Sequence, residues 1–372
     1  MADKSISEIR NIVCDFESLY NAMLVCKDGV MWKDSVAGWV KNGVVNCANL
    51  EKQLQNDTYS IDNYSKFTIY EPKKRDIVST RFKDRVFQRS LSDNYLTDTI
   101  RKSFVYDNGA CLKNKGTDFA RRRLISHLQR YYRQHGRIGY VLKCDVANFF
   151  GSTPHWVVKE KLRKLCDDDW AYGELCRIID SFGTEDNPEV GMGLGSQVTQ
   201  LCQLAVMNDI DHGIKECKRI KYYVRYMDDL ILIHEDKEVL KDCLNYIREE
   251  LEKLGLKLSV KKTQIFPLSQ PIHFLGYSYL LTDTGKVVKK VLPDKVAHER
   301  RKLKRMAQLV INGNMSREKF VKCFEAWLAH ATGEPAEYRK GTPFICRTDN
   351  HFMVENMKRY YKSLLEVIDN GT

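Results

Sequence analysis

Three carboxylates stand where strand-forming runs end. Asp145 closes the apolar run at 138–146 (IGYVLKCDV), and Asp228 and Asp229 lie inside 221–234 (KYYVRYMDDLILIH). Aspartates brought to one point by neighbouring strands offer hard oxygen ligands, the donor set that Mg2+ selects. Two such ions about 3.5–4 Å apart activate an attacking hydroxyl and stabilise a leaving phosphate oxygen. A plainer reading competes, because aspartate favours turns and an Asp-Asp pair between two strands is common turn chemistry. One Tyr-x-Asp-Asp tetrapeptide is moderate evidence, and the surrounding sequence has to decide.

The elements that must position these acids are short. Residues 138–146 read as a strand, being a β-branched and aromatic run that ends in an acid. Residues 221–234 read as two strands joined by a tight turn, with Met227, Asp228 and Asp229 at its tip. An amphipathic helix follows, with Val239, Leu240, Cys243, Leu244, Ile247, Leu251 and Leu254 at spacings of one, three and four. Gly255 stands in its stop position. Upstream, 67–89 (FTIYEPKKRDIVSTRFKDRVFQR) is a β-rich piece broken by Pro72 and leading into a basic helix. Residues 114–133 form a second basic segment, in which Thr117 is expected to cap a helix carrying Arg121, Arg122, Arg123, Arg130 and Arg133. Residues 1–60 read as mostly helical. After Tyr277 the pattern turns helical and basic, and Ser316 is expected to cap a helix whose face holds Phe320, Cys323, Phe324 and Trp327. This order fits a mixed α/β body with a helical carboxyl-terminal unit.

Composition sets the wider limits. A chain of 372 residues, 43% of them apolar, is long enough for two or three packed units and too apolar for full disorder. Sixty Lys and Arg against 49 Asp and Glu leave a net charge of +11, a vote for a polyanionic partner, nucleic acid ahead of an acidic membrane. The amino terminus has no apolar core of a secretory signal, and no run approaches 18 apolar residues, so neither export nor a membrane span is expected. The twelve cysteines are scattered without a C-x-x-C pair, and Cys144, Cys202, Cys243 and Cys323 fall in apolar patterns. Reduced thiols in a cytoplasmic protein are expected, with neither a disulfide frame nor a zinc site. There is no repeat, no low-complexity tract and, with 8 prolines, no obvious long linker.

The surrounding sequence resembles the bacterial reverse transcriptases over about residues 66–335, with the motifs in the expected order. Tyr226-Met227-Asp228-Asp229 is similar to the Y-x-D-D box, and Asp145 to Phe150 with His155 to D-x-x-x-F-F…H. Residues 191–200 (GMGLGSQVTQ) resemble G-L-P-I-G-N-L-T-S-Q, followed by Asn208, Asp211 and His212 where the family has L-N-x-L-D-H. Glu71 to Ile77 and Phe82 to Arg85 match the fingers motif. Lys262-Thr263 and 274–277 (FLGY) match later palm motifs, and 326–330 (AWLAH) resembles the thumb signature A-W-L-G-H. Gly193, Thr199 and Ala329 depart from the usual Pro, Ser and Gly; none of these changes removes a carboxylate.

The resemblance implies an α+β right-hand polymerase fold with fingers, an antiparallel-sheet palm and a short helical thumb. Its divisions would be an amino-terminal helical extension at 1–65, fingers at 66–137, a palm at 138–284 with a fingers insertion around 160–190, and a thumb at 285–372. The implied reaction is Mg2+-dependent addition of dNTPs to a 3′-hydroxyl on an RNA template, using two ions, with Mn2+ able to substitute. Asp145 and Asp228 would hold metal, Asp229 would support them as the third acid, and Val146 would lend a backbone carbonyl. Lys73 and Arg75 would grip the triphosphate, since a guanidinium fork suits phosphate oxygens. Phe150 would gate the sugar, Gln200 and its glycine-rich loop would approach base and template, and Lys262 would face the leaving pyrophosphate. Arg121, Arg122, Arg123, Arg301 and Lys304 would track nucleic-acid backbone. Partners would be template RNA, a DNA or RNA primer, dNTPs, and an accessory protein or associated non-coding RNA, with no membrane.

Within the family, the region running to 107–118 (DNGACLKNKGTD) looks most like diversity-generating retroelement enzymes. The alternative is a phage-defence or unclassified reverse transcriptase that primes itself or works without a template. Retron and group II intron enzymes fit less well, since no maturase-like extension follows the thumb. A catalytically inactive RNA-binding protein with this fold would be expected to lose a carboxylate, and all three are kept. A metal-dependent nuclease would leave Lys73 and Arg75 without a triphosphate to grip.

Overall fold

The computed structural model describes residues 8–62, 64–70, 75–183, 187–333 and 348–370, with 75 and 76 by their backbone alone. Four helices come first: α1 (Glu8–Cys14), α2 (Phe16–Lys27), α3 (Asp34–Lys41) and α4 (Gly43–Gln55). A hairpin of β1 (Ser65–Ile69) and β2 (Arg75–Ser79) follows, then α5 (Phe82–Leu91), α6 (Thr97–Arg101) and the long α7 (Thr117–His135). Thr117 is already the first residue of α7. Gly116, at φ +151°, holds the cap position, and no side chain caps the helix.

The central sheet has the order β4-β5-β3-β6, every neighbouring pair antiparallel: β3 (Tyr140–Asp145), β4 (Tyr222–Tyr226), β5 (Asp229–His234) and β6 (Gln264–Pro267). Between β3 and β4 lie α8 (Phe149–Ser152), α9 (His155–Leu165), α10 (Asp169–Asp180), α11 (Gln197–Val206) and α12 (Asn208–His212); α13 (Lys237–Lys253) links β5 to β6. Asp236 caps α13 by accepting from Glu238 N, and Gly255 follows it at φ +69°, the left-handed stop that glycine tolerates best.

Successive residues of these strands enter opposite cores, as the strand period of two requires. Leu142, Cys144, Tyr223, Leu230 and Leu232 join the large core shared with α9, α11 and α13. Val141, Tyr222, Val224, Ile231 and Ile233 pack against Ala120, Leu124, Leu128 and Tyr131 of α7. Burial on both faces is why the strands read as nearly continuous apolar runs.

The segment after Tyr277 departs from the helical expectation. A three-stranded antiparallel sheet, β7 (Ile272–Phe274), β8 (Tyr277–Leu281) and β9 (Val287–Val291), precedes the first helix there. Tyr277, Tyr279 and Leu281 alternate inward in period two, while Lys286, Lys289 and Lys290 gave the stretch its basic look. The boundary expected at 284/285 falls in the turn between β8 and β9. Beyond it, α14 (Pro293–Ile311), α15 (Arg317–Thr332) and α16 (His351–Asn370) enclose a third core of Leu303, Met306, Phe320, Phe324 and Met357. Ser316 caps α15 through Lys319 N. The α+β class expected from the sequence is the class observed. Every described cysteine is free, with Cys144, Cys202 and Cys243 buried and Cys323 half-buried. No helix among the described residues is long and apolar enough to cross a membrane.

Candidate active site

The central sheet delivers the three acids to one corner. Asp145 is the last residue of β3 and Asp229 the first of β5, and the two are direct partners in the ladder. Tyr226 pairs with Asp229 across β4 and β5, so Met227 and Asp228 form a two-residue hairpin loop. Backbone bonds close the corner: Val146 N donates to Asp228 O at 3.3 Å, and Ser259 N to Asp145 O at 2.7 Å.

Two lysines share the acids. Lys262, on the turn at 259–263, donates to both oxygens of Asp145, at 2.6 and 2.7 Å, and its side chain is about half exposed. Lys143 lies two residues before Asp145 on the same face of β3. Its ammonium donates to His273 O at 2.6 Å and stands 3.5 Å from Asp229 Oδ1. That oxygen is buried and has no hydrogen-bond partner among the described residues. Burial pushes the Asp229 carboxyl up to about 7; Lys143 opposes the rise, and the carboxylates of Asp145 and Asp228 add to it.

A cavity of about 820 Å3 opens beside the acids, lined by Asp145, Asp228, Val146, Phe150, Lys262 and residues 190–194, among others. Asn148, at φ +46°, turns the chain after β3 into α8. Phe149 then enters the core at 3% exposure and Phe150 stays half-buried; both border the cavity. Residues 191 and 192 are tied to α8 and the residue that follows it: Met192 N donates to Phe150 O at 2.7 Å, and Gly191 N to Thr153 O at 3.0 Å. His155 adds a contact of 2.8 Å between Nε2 and Gly191 O. A Cβ at Gly193 would come within 2.1 Å of the Phe182 ring, so a larger residue there needs that ring to shift. Thr199 keeps the hydroxyl of the usual serine and donates to Gly193 O at 2.7 Å.

The other expected residues fall elsewhere. Lys73 lies outside the described residues, and Arg75 is described only as the first backbone position of β2, a strand whose Val78 lines the cavity. Gln200 is not among the described lining residues; it accepts from Cys111 Sγ at 3.3 Å, and Cys111 in turn lies 3.8 Å from Met227 Sδ. Arg122, Arg301 and Lys304 are exposed. Arg121 is engaged internally, donating to Leu275 O at 2.7 Å and Asp118 at 2.9 Å beside the Tyr277 ring. Arg123 is bound to the buried Asp107, which Lys215 also reaches at 2.9 Å. Sequence reasoning passed over Lys143 and Arg225. The signal for each was a cation inside an otherwise apolar strand.

Divalent ions fit this corner by the chemistry of its donors: three carboxylates on adjoining strand ends, one with an orphaned buried oxygen, and no soft ligand among them. Asp145, Asp228 and Asp229 are the residues that would hold them. The side chains are not gathered around a single point as they stand, since no group of three His, Cys, Asp or Glu among the described residues has ready ligand geometry and Lys262 occupies Asp145.

Comparison with known proteins gives the relatives. Over 93 residues the chain is 28% identical to the Gag-Pro-Pol polyproteins of Mason-Pfizer monkey virus and Simian retrovirus SRV-1, a stretch covering 24% of this chain and 5% of each polyprotein. Among solved structures, apo telomerase from Candida tropicalis is 14% identical, with 70% of this chain and 53% of that one covered at a TM-score of 0.48. Telomerase from Candida albicans in complex with a fragment of telomeric RNA is 13% identical, with 86% and 61% covered, also at 0.48. A family model matches residues 71–279, which include the three aspartates, Phe150 and Lys262. Members of that family generally use divalent metal ions, and their fold is the polymerase right hand. Because the match spans 209 of the 372 residues, the chain belongs to the family of reverse transcriptases (RNA-dependent DNA polymerases).

Proposed function

We propose that this protein is an RNA-directed DNA polymerase that adds dNTPs to a 3′-hydroxyl on an RNA template. The observation that carries the reading is the sharing of one cavity by Asp145, Asp228, Phe150 and the 190–194 loop, with Asp229 paired directly to Asp145. Asp145 and Asp228 hold Mg2+, or Mn2+ in its place, with Asp229 behind them and the Val146 carbonyl alongside. When bound, such ions activate the attacking hydroxyl and stabilise charge on the leaving phosphate. Phe150 bounds the sugar, and Gln200 supports the loop that meets base and template. Lys262 turns from Asp145 towards the pyrophosphate end, with Lys73 and Arg75 reaching the triphosphate from the β1–β2 side. Residues 66–137 act as fingers, 138–284 as palm and 285–372 as thumb, preceded by the helical extension. Exposed Arg122, Arg301 and Lys304 meet primer and template backbone.

Within the family we propose a diversity-generating retroelement enzyme, on the pattern of 107–118, working in the cytoplasm with a template RNA and an accessory protein. Among the described residues the cysteines are free and six of the eleven are buried, which suits that reducing compartment. Primer extension on RNA and DNA templates, with sequencing of the products, tests both levels. RNA-templated extension with Mg2+, lowered about 10³-fold or more in Asp228→Asn with fold and RNA binding retained, is the expected result, as for loss of one ligand of a two-metal site. Absence of dNTP incorporation on every template would overturn the polymerase. Untemplated or self-primed products would favour the phage-defence alternative over the retroelement.

A further inference from the structure

Arg225 is an unusual residue to find in the middle of β4. Its side chain is fully buried on the sheet face opposite Asp145 and Asp229, beside Tyr223 and inside the large core. Its guanidinium forks onto Asp211 of α12, Nε to Oδ1 at 2.7 Å and Nη2 to Oδ2 at 2.6 Å, and Asp211 is equally buried. Tyr223 Oη donates to the same carboxylate at 2.5 Å. A buried ion pair is weak evidence for stability, because desolvating two charges offsets most of their attraction. The geometry therefore calls for another role.

That role lies in the remaining arm of the fork. Arg225 Nη1 donates to Met227 O at 3.0 Å. Met227 holds φ +55°, in the left-handed region that side chains avoid, at the first position of a two-residue hairpin loop where glycine or asparagine is the usual choice. Its carbonyl belongs to the peptide that leads into Asp228. The peptide leaving Asp228 is held as well, since Asp228 O accepts from Val146 N at the end of β3. Both planes flanking Asp228 are thus pinned, one from the core and one from the neighbouring strand.

The brace is anchored behind. Arg225 N donates to Asp107 O at 3.1 Å and Arg225 O accepts from Gly109 N at 2.8 Å. A Cβ on Gly109 would approach Ala120 Cβ to 2.7 Å, so this segment lies tight against α7.

We propose that Arg225, oriented by Asp211, is a positioning residue that fixes the Met227–Asp228 peptide and with it the direction in which Asp228 presents its carboxylate. The inference rests on the reading of the three aspartates as the catalytic centre. It assigns Arg225 to turnover and not to nucleic-acid affinity.

The test separates this role from a merely structural one. Arg225→Met and Asp211→Leu each strand one buried charge and should lower Tm strongly. Their combination replaces the pair with apolar side chains of similar size, which is often neutral or stabilising, and leaves the Tyr223 hydroxyl deprived of this acceptor. The expected result for the double variant is a Tm near wild type, a template–primer Kd within about twofold measured in EDTA, and a kcat at least tenfold low. Recovery of kcat together with Tm, or a Kd weakened in step with kcat, overturns the proposal. If the double variant does not fold, Asp211→Asn keeps the shape and one acceptor for Arg225. A severalfold loss of kcat at unchanged Kd supports the brace, and wild-type kcat overturns it. Wild-type extension in the same reactions is the control on the underlying reading; its absence removes the catalytic centre and the brace with it.

Discussion

Asp145 and Asp229 face each other as direct partners on the last rung of the β3–β5 ladder, two carboxylates on one sheet face. Like charges in directly opposed positions destabilise a sheet. The protein answers with two lysines, Lys262 closing on Asp145 and Lys143 standing by Asp229. The second answer is incomplete, since one Asp229 oxygen remains buried without a hydrogen bond among the described residues. The corner therefore holds negative charge against a cost in folding stability, as sites kept for function commonly do.

That cost depends on pH. The Asp229 carboxyl is raised from 3.8 to about 7, chiefly by burial. A carboxyl raised on folding favours the folded state while protonated. Its contribution is full below the unfolded value, falls as pH rises from about 4 to 7, and is lost above 7. Asp229→Asn stays neutral throughout. In EDTA, its Tm relative to wild type should climb over that interval and then level off. A difference that does not change with pH sinks the assignment of charge burial to Asp229.

Lys262 makes a second prediction. With its ammonium on both Asp145 oxygens, a divalent ion approaching this carboxylate meets a competing cation. The side chain is about half exposed, so the pair is solvent-screened and worth at most about 1 kcal/mol, or roughly fivefold in an equilibrium. Lys262→Ala should bind Mn2+ a few times more tightly in the absence of nucleotide, read by calorimetry, whether or not turnover falls. Equal or weaker binding would show that Lys262 does not compete for the site.

The sequence made the acids and their carriers legible because strand ends and turns are local. The run at 138–146 became Tyr140–Asp145, the double strand at 221–234 became two strands around Met227–Asp228, and the helix after it was visible in apolar spacing and in the Gly255 stop. Periodicity tells which way a side chain points but not what meets it. Lys143 and Arg225 showed locally only as cations inside apolar strands; that Lys143 meets Asp229 and Arg225 meets Asp211 is set by the fold. The same limit applies to two of the α7 arginines. A basic run looks like a phosphate track, yet Arg121 and Arg123 are occupied by Leu275 and Asp107.

This division can be measured. Exposed Arg301 and Lys304 on α14 are free to meet phosphates, and each contact adds about one to the slope of log affinity against log salt. Replacing both by Ala should reduce the slope of duplex binding by about two at unchanged Tm. Arg123→Ala should act oppositely. Buried Asp107, held well below its ordinary range by His127, Arg123 and Lys215 against the effect of burial, loses a full charge partner. Burial lowers the pKa of His127 and favours its neutral form, so among the described residues Lys215, 2.9 Å away, would remain as the full cation against that acid. Tm should fall and the salt slope should hold. A slope lowered by Arg123→Ala and indifferent to Arg301 and Lys304 would reverse the assignment.

Phe150 gives the prediction most specific to the chemistry. Both adjacent rings border the cavity that holds Asp145 and Asp228, but Phe149 is buried at 3% exposure while Phe150, half-buried, is the more open of the two. Its backbone is held in place, because Phe150 O accepts from Met192 N at 2.7 Å. A sugar placed by the acids at one end of this cavity would bring C2′ toward the ring. A 2′-hydrogen fits there, whereas a 2′-hydroxyl clashes, so discrimination arises from shape without a hydrogen bond. Removing the ring should then relax selection against ribonucleotides more than it harms deoxynucleotide addition. Phe150→Ala is expected to raise the rNTP-to-dNTP ratio of kcat/KM by about one to three orders of magnitude, on the scale of steric discrimination, with dNTP addition still measurable. Single-nucleotide incorporation on one primer–template decides the matter. A folded, active variant with an unchanged ratio would show that the ring only packs, and sugar selection would have to be sought elsewhere on the cavity wall.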